Sequence, residues 1–453
     1  MGKARNAIES RLNDFDPAIR QAALRELLAG KSPAFPAPGE NVNMHLHSFY
    51  SYNSEGYSPL RLVWECRRAG LQAAALCDFD VLLGLEEFLS AGRTLGLRTS
   101  VHLETRAYVK DYARQELSSP GEPGVTYIMG GGFSRMPAAG TEPARELEAY
   151  RQRARARNLD VVGRVNPHMG PVAIDYARDV EPLTPVGTAT ERHIISAYVH
   201  RAIAVLKTPT AVAAFWSERL GRPAEDVVEL MADRPAFEEL VRSKLVKKGS
   251  VGYQQPSPTT FPAIEDFVRW VRSCDAIPMI TWLDGTSDGE ADGRKLLECL
   301  EGMGCAALNI VPDRNWNIAD PAKRAVKTAK LREIVAEAVR MDLPVNIGTE
   351  MNKQGLPFVD DLAGEALKPY RDVFVAGARV MVGQTLLARY AGFPYLGAAA
   401  QAAYPTRRLR NGFFGTVGAL TALDVRQGDA LDSMGAEKAL RWFEDSVRVA
   451  ARA

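Results

Sequence analysis

Cysteine is scarce and poorly spaced for pairing. The five cysteines, Cys66, Cys77, Cys274, Cys299 and Cys305, form no C-x-x-C pair, and an odd number cannot all pair within one chain. A reducing, cytoplasmic environment fits that usage. An excess of charge of either sign is also missing, since 56 Lys and Arg face 55 Asp and Glu. Bulk electrostatics therefore give no reason to expect nucleic acid or an anionic membrane as partner, and an anionic substrate would have to be held by a few local groups. No apolar run approaches the ~18 residues of a membrane span. The opening Met-Gly-Lys-Ala-Arg-Asn leads into no apolar h-region, and Asn6 breaks the myristoylation pattern. There is no internal repeat and no low-complexity tract. Gly130-Gly131-Gly132 lacks the Lys and Ser/Thr of a phosphate loop.

What is present is a globular balance of 46% apolar and 25% charged residues, in a chain of 453. That length suits one large barrel with insertions, or two or three ordinary domains. Asp16 and Pro17 start a helix in a lead-in over residues 1–40, which a Pro- and Gly-rich stretch at 33–39 ends. A strand–helix alternation follows. Val42–His47, Ala73–Cys77, Arg98–Glu104, Val125–Met129, Ile277–Trp282, Ala306–Ile310 and Pro344–Thr349 read as seven strands. Most are apolar on both sides, as parallel strands covered by helices are. Ser58 and Pro59 open a helix at N-cap and N1, and further helices fall at 84–95, 291–303 and 321–341. The pattern predicts an α/β fold, a distorted seven-stranded, TIM-like β/α barrel over 41–360. A helical insertion at about 175–260 interrupts it, densest at 188–248, and a mostly helical extension packed on the barrel follows over 361–453. Residues 143–160, rich in Arg and Glu, read as a solvated helix.

The strongest chemical signal is His45-Leu46-His47 at a strand end. Residues two apart on a strand share a face, so two imidazoles stand together at a barrel mouth, as metal ligands do. Next is Leu76-Cys77-Asp78-Phe79-Asp80, an apolar strand running into two acids. Asp78 reads equally as a ligand or a helix cap, and Asp80 reads better as a helix cap. Glu104 can complete a histidine site, and Arg106, two residues on, can hold a phosphate or carboxylate by its fork or pair with a neighbouring acid. Asp284, Asp313 and Arg314 lie in polar loops after later strands, where barrel active sites are assembled. His168, in a turn, is a candidate second-site ligand. Thr190 and Glu191 read as a helix start, which leaves Arg192 and His193 as substrate-contact candidates. His102 reads as a core histidine and His200 as a helix-face residue.

The order N-M-H-L-H-S-F-Y-S, then S-P opening a helix, then L-C-D-F-D before G-L-E-E-F, then H-L-E-T-R resembles the PHP (polymerase and histidinol phosphatase) family. That family shows H-x-H-x-x-x-S, T-D-H-D before a G-L helix, and G-I-E. The resemblance is close over 41–104 and looser beyond. It implies a distorted seven-stranded barrel with metals at the mouth. It also implies that His45 and His47 match the first two ligands, Glu104 the bridging glutamate and Glu350 the last acid. Two of the family's histidines are replaced, by Phe79 and Asn352, and the A-H-P strand end matches Ile280–Asp284 without a histidine. One metal position is therefore implied rather than three, suited to Zn²⁺, Mn²⁺ or Fe²⁺.

These observations predict a cytoplasmic metal-dependent hydrolase acting on a small, phosphorylated substrate. His45, His47, Glu104 and Glu350 would hold one divalent metal, and Asp78 or Asp284 would accept a proton. Arg106, Arg192, His193, Arg314 and Asn352 would contact substrate. Two alternatives stand beside it: an amidohydrolase-like barrel, and a barrel that has lost catalysis and binds a ligand.

Overall fold

The computed structural model describes residues 2–30, 35–257 and 259–452; residues 33 and 34 of the Pro- and Gly-rich stretch lie outside them. Seven strands form one sheet in sequential order: β1 Val42–Leu46, β2 Ala73–Phe79, β3 Arg98–Tyr108, β4 Val125–Gly131, β5 Ile277–Trp282, β6 Ala307–Ile310 and β7 Val345–Ile347. All pairings are parallel except those of β4, which runs antiparallel to both β3 and β5. The two edges meet where Leu46 bridges Glu350. There the His47 N–H donates to the Glu350 carbonyl at 3.0 Å, and the Glu350 N–H donates to the His45 carbonyl at 2.8 Å. The protein is thus a mixed α/β, nearly closed seven-stranded barrel with added helical regions.

Local sequence explains most of the elements. Ser58 Oγ accepts from the Arg61 N–H at 2.9 Å at the start of the helix Pro59–Arg68, and Asp16 caps Pro17–Ala29 from Ala18 N–H at 2.8 Å. Hydroxyl and carboxylate caps satisfy N–H groups that a first helical turn leaves open. Two expectations need correction. Strand β3 runs four residues past Glu104, because antiparallel β4 gives it a partner out to Tyr108 opposite Val125. The helix Glu142–Val165 is also not solvated all round. It buries Leu147, Tyr150, Asn158, Val162 and Val165.

Two apolar cores result. The larger joins the barrel, its helices and the C-terminal helices. The helix Arg371–Ala391 closes the barrel floor: Ser100 Oγ at the start of β3 bonds Thr385 Oγ1 at 2.9 Å. It lies so close to the sheet that a Cβ at Gly377 would meet the Val345 carbonyl oxygen at 2.0 Å. The smaller core, between residues 162 and 246, contains Tyr198, Trp216 and Phe237 and belongs to the helices between β4 and β5. These helices reach the barrel mouth, where the ring of His193 meets that of Tyr52, after β1, at 5.1 Å.

Candidate metal centre

His45 and His47, at the end of β1, converge with Glu104, within β3, with one ligand atom from each within 4.8 Å of the others. All three are buried. His45 Nε2 lies 3.2 Å and His47 Nε2 3.5 Å from the same oxygen, Glu104 Oε2. Burial, then neighbouring His45, holds His47 down to about 3, so its imidazole is neutral at physiological pH. Burial opposes charge on His45 as well, but Glu104 outweighs it and raises the proton affinity. His47 Nε2 has no hydrogen-bond partner. A buried imidazole nitrogen with an open lone pair, beside a second imidazole and a carboxylate, is the donor chemistry of a divalent transition-metal site.

A surrounding layer orients these groups. Asp78 accepts at 2.7 Å from the Ser48 N–H, Ser48 Oγ and Ser51 Oγ. Ser51 Oγ in turn lies 3.4 Å from His47 Nδ1. Burial lifts Asp78 to about 6 against those hydrogen bonds. Its acceptor capacity is spent on holding the turn after β1, so it supports His47 rather than standing free. Phe79 stacks on the His47 ring with centroids 4.8 Å apart and planes 12° from parallel. On the other side, the Asn309 amide is 3.2 Å from His45 Nδ1, while its Oδ1 has no partner. Exchanging amide O and N lets Oδ1 accept from Nδ1–H and leaves Nε2 as the ligand atom, the usual arrangement behind a metal-bound histidine. Asn309→Ala should therefore weaken metal affinity by about tenfold or more, measured by competition with a chromophoric chelator.

The remaining candidates are placed as follows. Glu350 lies beside the triad but outside the group that shares one centre. Its carboxylate bonds Arg314 at 2.6 Å and is held down to about 2 by Arg314, with His45 adding to it, against the effect of burial. Glu350 and Met351 have φ of +62° and +57°, backbone strain of the kind concentrated at functional sites. Arg314 is 43% exposed along its side chain, and its charge acts on both His45 and Glu104. Asp284 is tied to Lys327 Nζ at 2.6 Å and to Thr286 N–H at 2.9 Å. Arg192 pairs with Glu239 at 3.1 Å and lies over the Tyr52 ring. His193 is explained by capping after all, because its Nδ1 accepts from the Thr190 N–H at 3.0 Å. His168 is exposed on a 3₁₀ turn and is not among the residues gathered at the mouth. Asn352 is half-buried. Asp80 caps no helix; it has φ of +58° and accepts from Thr105 Oγ1 at 2.5 Å. His102 is buried, as a core residue should be.

Glu290 was not legible as a site residue. Its buried carboxylate accepts the N–H groups of Leu283, Asp284 and Gly285 and fixes the loop after β5. Three consecutive N–H groups turned to one acceptor leave no trace in residue spacing.

No protein-family model matches the chain, and no curated protein matches it. Among solved structures, it is similar to an amidohydrolase from Chromobacterium violaceum with bound sulfate and no metal, at 14% identity and a TM-score of 0.48, over 74% of this chain and 95% of that one. It is also similar to a protein from Bifidobacterium adolescentis proposed to be a metal-dependent phosphoesterase, at 18% identity and a TM-score of 0.44, over 75% and 98%.

Proposed function

We propose that the chain is a metal-dependent hydrolase acting on a phosphate ester at the barrel mouth. The observation that carries this reading is the buried convergence of His45, His47 and Glu104, with the His47 Nε2 lone pair open. These three side chains would hold one divalent metal, which when bound supplies Lewis-acid polarisation and a more acidic water. The chain's own groups do the rest. Asp78 and Ser51 orient His47, and Asn309 orients His45. Arg314, anchored by Glu350 and reaching solvent, offers its guanidinium fork to the substrate anion. Glu104 and Glu350 are the carboxylates nearest the reacting centre. Asp284, paired with Lys327, is better suited to holding its loop than to accepting a proton.

The test is metal content together with turnover. Protein loaded with Zn²⁺, Mn²⁺ or Fe²⁺ should retain about one equivalent after desalting. It should then hydrolyse at least one member of a panel of phosphomonoesters and phosphodiesters. Failure to retain any of the three metals would overturn the reading.

A second reading is favoured by Phe79. It occupies the position of a histidine in the resembled family and covers one face of His47 with an apolar ring. A barrel reduced in this way would bind an anionic ligand without cleaving it. Retained metal and saturable ligand binding with no turnover of any ester would select it.

A further inference from the structure

A second cluster of charge lies alongside the triad. Arg106 follows Glu104 by two residues on β3, so it stands on the same face, about 7 Å further along the strand. Its guanidinium sits 4.4 Å from the centre of the Phe261 ring, and Arg157 sits 4.8 Å from the same ring. Arg106 pairs with Glu122 at 2.7 Å, and Arg157 approaches Asp80 at only 3.6 Å. Arg153, one turn before Arg157 on the helix Glu142–Val165, acts on the same Asp80, and its buried Nη1 has no partner. From the smaller helical core, Arg242 and Lys247 close on Glu191 at 2.6 and 3.1 Å, within electrostatic reach of Arg106.

Five cationic side chains thus share three carboxylates, Asp80, Glu122 and Glu191. Adding Arg192 and Glu239, which pair with each other, leaves the excess of two positive charges unchanged. Burial, then Arg106 and Arg153, holds Arg157 down to about 10 against the pull of Asp80, so it is still charged at neutral pH. Like charges gathered out of water are unfavourable unless an anion completes the set. Guanidinium forks match phosphate oxygens in geometry.

We propose that Arg106, Arg153 and Arg157 form an anion subsite beside the triad, which takes a phosphate monoester dianion remote from the bond being cleaved. Assigning that anion to a substrate rests on the hydrolase reading; the binding itself does not. The substrate class that follows is a compact molecule with two anionic groups, one at each site.

The test uses the full-length protein stripped of metal with a chelator, so that the triad cannot hold the anion through a metal. Inorganic phosphate is titrated by calorimetry, with succinate as the comparison. One phosphate per chain should bind, and more tightly than succinate. Arg153→Gln and Arg157→Gln should each weaken it by about tenfold or more, while His45→Ala leaves it unchanged. Arg153→Gln decides the matter if Arg157→Gln fails to fold, since the Arg153 Nη1 has no partner to lose. The subsite is overturned if no saturable binding occurs, if succinate binds as tightly, if both arginine variants bind like wild type, or if His45→Ala abolishes binding. Phosphate binding in a protein that retains no metal would sink the hydrolase reading and leave the subsite standing. Metal-dependent turnover without phosphate binding would do the reverse.

Discussion

His45→Ala is expected to abolish stoichiometric metal retention and to lower phosphate-ester turnover by about three orders of magnitude. That figure corresponds to the several kcal/mol a bound metal contributes to transition-state stabilisation. The fold should survive, because the barrel closes through the His45 carbonyl rather than its ring. The removed imidazole also leaves Glu104 with fewer partners, so a modest loss of melting temperature is expected as well. Elemental analysis after desalting, steady-state kinetics and far-UV circular dichroism on one preparation check all three parts. Turnover equal to wild type in a well-folded, metal-free His45→Ala protein would be incompatible with the triad as the reacting centre.

The second large effect concerns stability rather than turnover. Asp360 is 1% exposed, and both carboxylate oxygens lack partners. Burial, with Asp313 adding to it, lifts it from 3.8 to about 7. The folded chain therefore holds this proton more tightly than the unfolded chain does. As pH rises from about 4 to 7, the unfolded state ionises while the folded state resists, and stability is lost across that window. Above it the full penalty applies, on the order of 4 kcal/mol. Asp360→Asn keeps the shape and removes the charge. It should raise the melting temperature by several degrees at pH 7.5 and change it little at pH 4. Equal or lower stability of the variant at pH 7.5 would mean that the native carboxylate is ionised and matched by a cation.

Much of the barrel was written in its apolar runs. All seven strand positions could be read because β-branched and aliphatic residues are bounded by turn residues and helix caps such as Ser58 and Pro59. The direction of β4 was not read, because a strand's composition is the same whichever way it runs. The available clue was the connection. Between Tyr108 and Val125 the only regular helix is a three-residue 3₁₀ turn, whereas a parallel crossover needs a dozen residues or more, usually including a helix.

The site divides in the same way. His45 and His47 are legible because a period of two along one stretch of chain places both rings together, and Glu104 follows from the acid in β3, two strands over. Arg153 and Arg157 are not. An Arg-rich helix reads as a wet surface, and what turns Arg157 inward is Phe261 and Asp80, each more than seventy residues away in the chain. Nothing in the spacing around Asp360 shows its burial or its nearness to Asp313, which follows β6 some fifty residues earlier.

The seam where the first and last strands meet has a further consequence. The peptide of Glu350 is stitched to those of His45 and His47, while its side chain holds Arg314. Whatever steadies that arginine from the solvent side also pins the zip that keeps the cylinder shut. The amide protons of His47 and Glu350 should then trade with deuterium more slowly when the pocket is filled, giving a readout of occupancy that needs no knowledge of the reaction.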